Sequence, residues 1–203
     1  MQKILKAMEA GGVVVYPTET LYAVGCDATN PDACERVTRI KERPHDMPLP
    51  LIIGGVDMLK LVTDSQAAPL FELAKAFWPG PLSILVKALP TLPAQLCDRD
   101  GYTSVRFSGH AFASELSRRL RRPIVATSAN ISGHPPVALP EDLDPELVEM
   151  VDEIYVDPPW PRGDKPSTVV RMLGATRLEI LREGAVPVKK LCDKGFAVSL
   201  LSA

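Results

Sequence analysis

The strongest constraint on the fold is a series of short apolar runs separated by longer amphipathic segments. The runs occupy residues 13–15, 49–53, 82–86 and 123–127. Runs of this length, bounded by glycine and proline, are typical of buried strands. The segments between them carry apolar residues at helical spacing, which predicts helices over residues 2–10, 31–41, 69–77 and 110–121.

The same mixture continues through the rest of the chain. Asp144-Pro145 is a helix-start signal. Further strands are predicted over residues 103–107, 154–156, 167–172 and 177–181, with a long polar loop over 157–166. Because strands and helices mix without a strict alternating repeat, the pattern indicates an α/β or α+β fold with a mixed sheet. A chain of 203 residues suits one domain over 1–203, with residues 187–203 as a short tail.

The composition excludes several classes of protein. A net charge of -2 leaves no global basic field, so any contact with nucleic acid would need a local patch. The four cysteines form no C-x-x-C pair and no histidine lies at zinc-ligand spacing, which favours free thiols in a reducing cytoplasm and no metal site. No segment approaches the ~20 apolar residues of a membrane span, and no signal peptide is visible. We therefore expect a soluble, cytoplasmic protein without a membrane partner.

Two cations mark the end of the helix predicted over residues 31–41. On a continuing helix, Lys41 and Arg43 would point about 200° apart. Pro44 disfavours the helical conformation at Arg43, so the helix should end near Glu42 and both cations could turn into one cleft. The alternative is a solvated helix C-terminus, where basic residues are favoured in any case.

Polar side chains follow two of the predicted strands. Ser128 and Asn130 come just after the run 123–127, and Thr18 and Glu19 follow the run 13–15. Ligands collect at such strand ends in open α/β sheets. The alternative in both places is a local turn, which these residue types also favour.

Other arginines admit two interpretations. Arg106 lies within an apolar strand, as either a half-exposed residue or a clamp for a carboxylate or phosphate. Residues 118–122 hold four arginines, which could be a solvated helix end or a patch facing RNA. The sequence shows no Ser-His-Asp or Cys-His arrangement, no Walker A segment and no G-x-G-x-x-G, so a nucleotide would be bound by an unusual site.

Seven sequence blocks occur in the order found in the YrdC/TsaC family, which the chain resembles over about residues 4–186. The blocks are Tyr16-Pro17-Thr18-Glu19-Thr20-Leu21-Tyr22, Lys41-Glu42-Arg43-Pro44, Phe77-Trp78-Pro79-Gly80-Pro81-Leu82, Val105-Arg106, Ser128-Ala129-Asn130-Ile131-Ser132-Gly133, Ser167-Thr168-Val169-Val170 and Leu181-Arg182-Glu183-Gly184. The resemblance implies an α/β fold: a YrdC-like twisted open mixed sheet, flanked by helices, with a concave and positively charged face.

The resemblance also implies an activity, threonylcarbamoyl-AMP synthesis. L-threonine, bicarbonate and ATP would give threonylcarbamoyl-AMP and pyrophosphate, with magnesium as the counter-ion of ATP. A separate transferase complex would then place the threonylcarbamoyl group on a tRNA adenosine. Direct contact with tRNA or double-stranded RNA is a further expectation.

The family signatures K-x-R and S-x-N imply an ATP site. They fall on Lys41, Arg43, Ser128 and Asn130, and Arg182 matches a further ATP-side arginine. Lys41 and Arg43 are the expected catalytic cations, because negative charge builds on phosphate oxygens during the reaction.

A second group of positions matches the threonine side of the family site. Thr18, Arg106 and Ser167 would contribute side chains, and Ala126 would contribute its backbone. Two other activities stay open at this point. One is a carbamoyl-adenylate enzyme similar to HypF or to YciO-type paralogues, and the other is a non-catalytic RNA-binding module of the YrdC-like type.

Overall fold

The computed structural model describes residues 1–44, 47–131, 133–163 and 165–200. Within these ranges the α-helices are α1 (Gln2–Glu9), α2 (Pro31–Ile40), α3 (Ala68–Phe77), α4 (Ala111–Leu120), α5 (Pro145–Met150) and α6 (Val188–Asp193). The strands are β1 (Val14–Pro17), β2 (Tyr22–Gly25), β3 (Leu51–Ile53), β4 (Leu82–Lys87), β5 (Tyr102–Phe107), β6 (Ile124–Val125), β7 (Thr127–Ser128), β8 (Glu153–Ile154), β9 (Thr168–Met172), β10 (Arg177–Arg182) and β11 (Ala197–Leu200).

The strands form two mixed sheets. The first has the order β7-β2-β1-β8, with β1 antiparallel to β2 and parallel to β8. The second has the order β11-β10-β9-β4-β5-β3-β6 and contains both parallel and antiparallel pairs, such as β4 with β9 and β4 with β5. The predicted mixed α/β fold with twisted sheets flanked by helices is therefore confirmed.

The run 123–127, predicted as one strand, is instead divided between the two sheets. β6 pairs with β3 in the larger sheet, and β7 pairs with β2 in the smaller one. The chain changes sheet at Ala126, whose N–H donates to the carbonyl of Pro50 at 2.9 Å. Gly25 permits the close approach of the two segments, since a Cβ there would lie 1.8 Å from the carbonyl oxygen of Val125. The switch places the S-x-N segment at the seam between the sheets.

Alternation along β1 explains why its apolar run is continuous. Val13 and Val15 pack in the cluster that also contains α2 and α3, whereas Val14 and Tyr16 pack in the cluster beneath α1 and α4. A strand covered on both faces has no polar face, so it reads as an uninterrupted apolar run. β1 is thereby fixed on both sides, and the turn that follows it begins from a rigid position.

The helix-start signals have the expected structural roles. The Asn30 side chain accepts hydrogen bonds from the N–H groups of Asp32 at 3.0 Å and Ala33 at 3.1 Å, which caps α2. Asp144 caps α5 in the same way, by accepting from the N–H of Glu146 at 2.9 Å. These caps fix where α2 and α5 begin.

The segment expected to be a short tail contributes two elements over its described part. Leu191 of α6 is buried in the core, and β11 pairs in parallel with β10. The single YrdC-like domain over residues 1–203 stays a prediction. Among the described residues, no helix is both long and apolar enough to cross a membrane.

Candidate active site

A cavity of about 110 Å³ lies at the seam between the two sheets. Seven of the nine residues predicted for the site line it: Thr18, Arg43, Arg106, Ala126, Ser128, Ser167 and Arg182. They come from segments far apart in the sequence, and the fold brings them together. The other two, Lys41 and Asn130, lie next to the cavity without lining it.

The chain reverses direction directly after α2. Lys41 is the C-cap residue, Glu42 takes a left-handed φ of 47°, and the N–H of Arg43 donates back to Thr38 at 3.0 Å. The predicted helix end near Glu42 is thus confirmed. Because Pro44 prevents another helical turn, Lys41 can reach the S-x-N segment while Arg43 reaches Thr127, directly before it.

Lys41 lies beneath that segment and holds it. Its Nζ donates to the carbonyl of Ser128 at 2.7 Å, to Oδ1 of Asn130 at 2.9 Å and to the carbonyl of Asn130. The residue is only 2% exposed. Burial, together with the nearby charge of Arg43, lowers the pKa of Lys41 to about 8. All three of its donors are used on this segment, so in this conformation Lys41 positions the segment from below the cavity.

Asn130 is used in the same local network. Its Nδ2 donates to the carbonyl of His134 at 2.6 Å and to that of Ile131 at 3.0 Å. Both ends of the amide therefore bind the protein itself. Ser132, in the same sequence block, lies outside the described residues.

Arg43 reaches the cavity wall. Its Nε donates to the carbonyl of Met47 at 2.8 Å and its Nη2 to that of Pro48 at 3.0 Å, while Nη1 lies 3.4 Å from Oγ1 of Thr127. Burial lowers the pKa of Arg43. Its partners among the described residues are neutral, so its positive charge is available to an anion in the cavity.

Arg182 stands on the opposite side, against Ser167. Its Nη2 donates to the carbonyl of Ser167 at 2.9 Å and to its hydroxyl at 3.2 Å. The same hydroxyl lies 3.0 Å from that of Ser83. Burial and the charges of Arg106 and Arg43 lower the pKa of Arg182, which means that these two charges repel the Arg182 guanidinium. A bound anion would relieve that repulsion.

Arg106 is buried and paired. Its Nε donates to Oε1 of Glu19 at 3.2 Å, and Oε2 of Glu19 accepts from the hydroxyl of Ser108. Burial alone would raise the pKa of Glu19, but Arg106 and Ser108 outweigh burial and hold it below its ordinary value. Glu19 therefore carries a negative charge near neutral pH.

Thr18 and Ala126 form the floor between these groups. Oγ1 of Thr18 donates to the carbonyl of Leu21 at 2.7 Å and lies 3.1 Å from Oγ1 of Thr20. The N–H of Ala126 is occupied by Pro50, which leaves the Ala126 carbonyl as its available backbone group. Thr18 thus anchors a tight turn and also lines the cavity.

The charge balance at the cavity favours an anion. Among the described residues, Arg106 has a carboxylate partner, whereas Arg43 and Arg182 form no ion pair. Over the part of the chain that the structure describes, the lining includes serine and threonine hydroxyls but no carboxylate. Guanidinium forks with neutral donors suit carboxylate and phosphate oxygens.

Sequence reasoning placed Glu19 at a strand end where ligands collect but assigned it no role in the site, and it did not consider Ser108. Glu19 is part of the Thr18-Glu19-Thr20 block, but a local turn explained it equally well. A carboxylate next to a buried arginine is found only when β5 and the turn after β1 are placed side by side. The signal available in the sequence was the acidic residue within an otherwise polar, uncharged turn.

The chain matches a family model described as "Telomere recombination" (Sua5/YciO/YrdC) over residues 6–184. A threonylcarbamoyl-AMP synthase of Vibrio parahaemolyticus is 31% identical over 185 residues, which is 90% of this chain and 98% of the relative. A crystal structure of P. abyssi Sua5 complexed with L-threonine superposes with a TM-score of 0.89 at 28% identity, covering 98% of this chain. This chain spans 58% of the P. abyssi chain.

A second solved structure, E. coli YciO, is 26% identical with a TM-score of 0.80, covering 93% of this chain and 91% of YciO. The family model and the Vibrio relative both extend over most of the chain. With the shared fold and the signatures at one cavity, they show that the chain belongs to the Sua5/YciO/YrdC family.

Proposed function

We propose that the protein is an L-threonylcarbamoyladenylate synthase and that the arginine-lined cavity is its active site. The observation that carries the proposal is the convergence of Arg43, Arg106 and Arg182 on one small cavity within this family's fold. The relative from Vibrio parahaemolyticus is named for this activity, and the P. abyssi neighbour was crystallised with L-threonine. ATP as a substrate follows from the same activity.

The threonine end of the cavity is formed around Arg106. The guanidinium would bind the α-carboxylate, and Thr18, Ser167 and the carbonyl of Ala126 would contact the remaining polar groups of the amino acid. A charge-assisted hydrogen bond of this kind contributes about 1.5–3 kcal/mol. Threonine would be oriented with its amine toward the rest of the cavity.

The ATP end is formed by Arg43, Ser128 and Arg182. Their donors would bind phosphate oxygens, and Arg43 and Arg182, which form no ion pair among the described residues, would supply the charge. Lys41 and Asn130 hold the S-x-N segment in place, so they would act on ATP through Ser128 in this conformation. A change in the segment on ATP binding would release Lys41 for direct contact.

The reaction requires charge stabilisation more than a covalent nucleophile. The threonine amine and bicarbonate condense to a carbamate with loss of water. A carbamate oxygen then attacks the α-phosphorus of ATP and pyrophosphate leaves. Charge grows on the phosphate oxygens during this displacement, and preorganised cations stabilise it most effectively where water is excluded.

Magnesium fits this site only as a companion of ATP. The residues lining the cavity offer hydroxyls and guanidiniums, and the nearby Glu19 is engaged by Arg106 and Ser108. The triphosphate and water would therefore provide most ligands of the ion, as magnesium prefers. Its chemistry would be to neutralise the triphosphate.

The product would supply a tRNA-modifying transferase. The basic run at the end of α4 gives little support to direct contact with RNA. Arg118 donates to the carbonyl of Gly54 at 2.7 Å, Arg119 pairs with Glu115 at 2.7 Å, and Arg122 pairs with Asp27. Three of the four arginines are thus engaged within the protein.

Release of pyrophosphate from ATP tests the proposal. We expect release that depends on both L-threonine and bicarbonate, each omitted in turn. Equal release without threonine would contradict the synthase function. Turnover with carbamoyl phosphate in place of threonine and bicarbonate would instead indicate an enzyme of the HypF type, and RNA binding without ATP turnover would indicate a non-catalytic module.

A further inference from the structure

Glu19 contacts Arg106 without lining the same cavity. Arg106 lines the arginine-rich cavity, whereas Glu19 lines a second cavity of about 570 Å³ that, among the residues the structure describes, shares only Thr20 with the first. The two side chains are 6% and 14% exposed, respectively, and meet at Nε of Arg106 and Oε1 of Glu19, 3.2 Å apart. The carboxylate therefore holds the guanidinium through Nε without being part of the lining of the proposed threonine site.

The second oxygen of Glu19 is also fixed. It accepts from the hydroxyl of Ser108, and that hydroxyl in turn accepts from the N–H of His110 at 3.2 Å. Ser108 is 1% exposed and follows β5, two residues after Arg106. One carboxylate thus joins the turn after β1 to Arg106 in β5 and to Ser108 just after it, and both of its oxygens have a partner.

This contact leaves the fork of the guanidinium free. Among the described residues, neither Nη atom of Arg106 has a hydrogen-bond partner. Both atoms are accessible to solvent, since neither belongs to the described side-chain atoms that are buried without a partner. Arg106 lines the cavity, and with Nε engaged by Glu19 the two Nη groups are the donors it can offer to a ligand there. Two parallel Nη donors are the arrangement that binds a carboxylate in a bidentate fashion.

We propose that Glu19 is a positioning residue for amino-acid binding: it holds Arg106 through Nε so that both Nη groups face the substrate carboxylate. The inference rests on the proposed function, because it assigns the carboxylate of threonine to Arg106. Glu19 makes no contact with substrate in this assignment. Its effect depends on where its oxygens lie, and its charge serves mainly to compensate the buried arginine.

Two substitutions separate geometry from charge. Glu19→Gln keeps an oxygen for Nε of Arg106 and offers an amide to Ser108, but removes the charge. Glu19→Asp keeps the charge, but its side chain is one methylene shorter and cannot hold both partners in place. The Kd for L-threonine, measured by calorimetry, should stay within threefold of wild type for Glu19→Gln and rise at least tenfold for Glu19→Asp.

The binding of ATP, measured with a non-hydrolysable analogue, supplies the internal comparison. It should change less than threefold in both variants, because Arg43 and Arg182 do not contact Glu19. Glu115→Gln is the matched control, since it removes a carboxylate paired with Arg119 on the surface. A tenfold loss of threonine affinity in Glu19→Gln but not in Glu19→Asp would overturn the positioning role in favour of a charge effect.

A double-mutant cycle shows whether Glu19 acts through Arg106. In an Arg106→Ala background, Glu19→Asp should have no further effect on threonine affinity, because there is no guanidinium left to position. Additive losses would contradict the inference while leaving the synthase function intact. If Arg106→Ala itself leaves threonine binding unchanged, the assignment of Arg106 fails first, and the inference fails with it.

Discussion

Two groups of arginines in this chain differ in their spacing along the sequence and in the partners that the fold gives them. The run over residues 118–122 is the densest in the sequence, yet Arg118, Arg119 and Arg122 are engaged by a carbonyl or a carboxylate of the protein. Arg43 and Arg182 lie 139 residues apart and belong to no such run, yet both line one cavity, and their partners among the described residues are neutral. Local density of charge is therefore a poor guide to an anion site, and what matters is which charges the fold leaves uncompensated.

The largest expected effect belongs to the uncompensated group. Arg43→Ala should lower turnover by roughly a hundredfold, about 2.7 kcal/mol of transition-state stabilisation, because its charge is directed at the phosphates. Arg119→Ala, on the surface, should leave turnover within about twofold of wild type. Steady-state release of pyrophosphate measures both. Equal losses in the two variants would remove the distinction between the groups.

Lys41 should show a large effect on stability as well as on activity. Lys41→Ala leaves two carbonyls and the Oδ1 of Asn130 without their donor, and one unsatisfied buried group costs about 1–3 kcal/mol. We expect a loss of at least about 2 kcal/mol in the free energy of unfolding by urea, against about 0.5 kcal/mol or less for Arg119→Ala. A helix-terminal cation in solvent would contribute only about 0.3–1 kcal/mol, so a loss in that range would contradict the buried contacts.

The third comparison is between the two ends of the cavity. Arg106→Ala should raise the threonine concentration required for half-maximal rate at least roughly tenfold, because it removes the carboxylate clamp. The requirement for ATP should change much less. Varying one substrate at saturating levels of the other separates the two effects. An equal rise for both substrates would indicate general damage to the fold.

A smaller effect is expected from pH. Since the pKa of Lys41 is lowered to about 8, its ammonium loses a proton as pH rises above that value and then offers two donors in place of three. Turnover should decline above about pH 8. Stability should rise with pH from about 8 toward the ordinary lysine value of ~10.4, since the unfolded chain binds more protons than the folded one in that window.

A control variant identifies the source of this pH effect. Lys41→Met should lose the alkaline rise in unfolding free energy, because it has no group that titrates there. Urea unfolding at several pH values measures the rise in both proteins. An unchanged rise in Lys41→Met would assign the pH effect to another residue.

The sequence predicts well those features that depend on local chemistry. Asn30-Pro31 and Asp144-Pro145 mark helix starts because capping needs only a side chain and its own backbone. Pro44 marks the end of α2 because its ring restricts the backbone of the residue directly before it, which is also a local effect. Each of these signals acts within a few residues, so no knowledge of the tertiary fold is required to interpret it.

Features that depend on distant segments were missed or placed incorrectly. β2 is a four-residue strand ending in glycine, and it is stable only because β1 and β7 flank it. The run 123–127 reads as one strand because its apolar pattern does not change where the chain passes from one sheet to the other at Ala126. Sequence spacing also could not show that Lys41 lies beneath the S-x-N segment while Arg43 lines the cavity.

The most direct test of the central claim is to identify the product made at the cavity. Wild-type protein would be incubated with ATP, L-threonine and ¹³C-bicarbonate, and the nucleotides analysed by mass spectrometry, with Arg43→Ala in parallel. We predict threonylcarbamoyl-AMP carrying one ¹³C atom, strongly reduced in Arg43→Ala and absent when threonine is omitted. Consumption of ATP without a labelled threonine adduct, or the same amount of adduct from both proteins, would contradict the account.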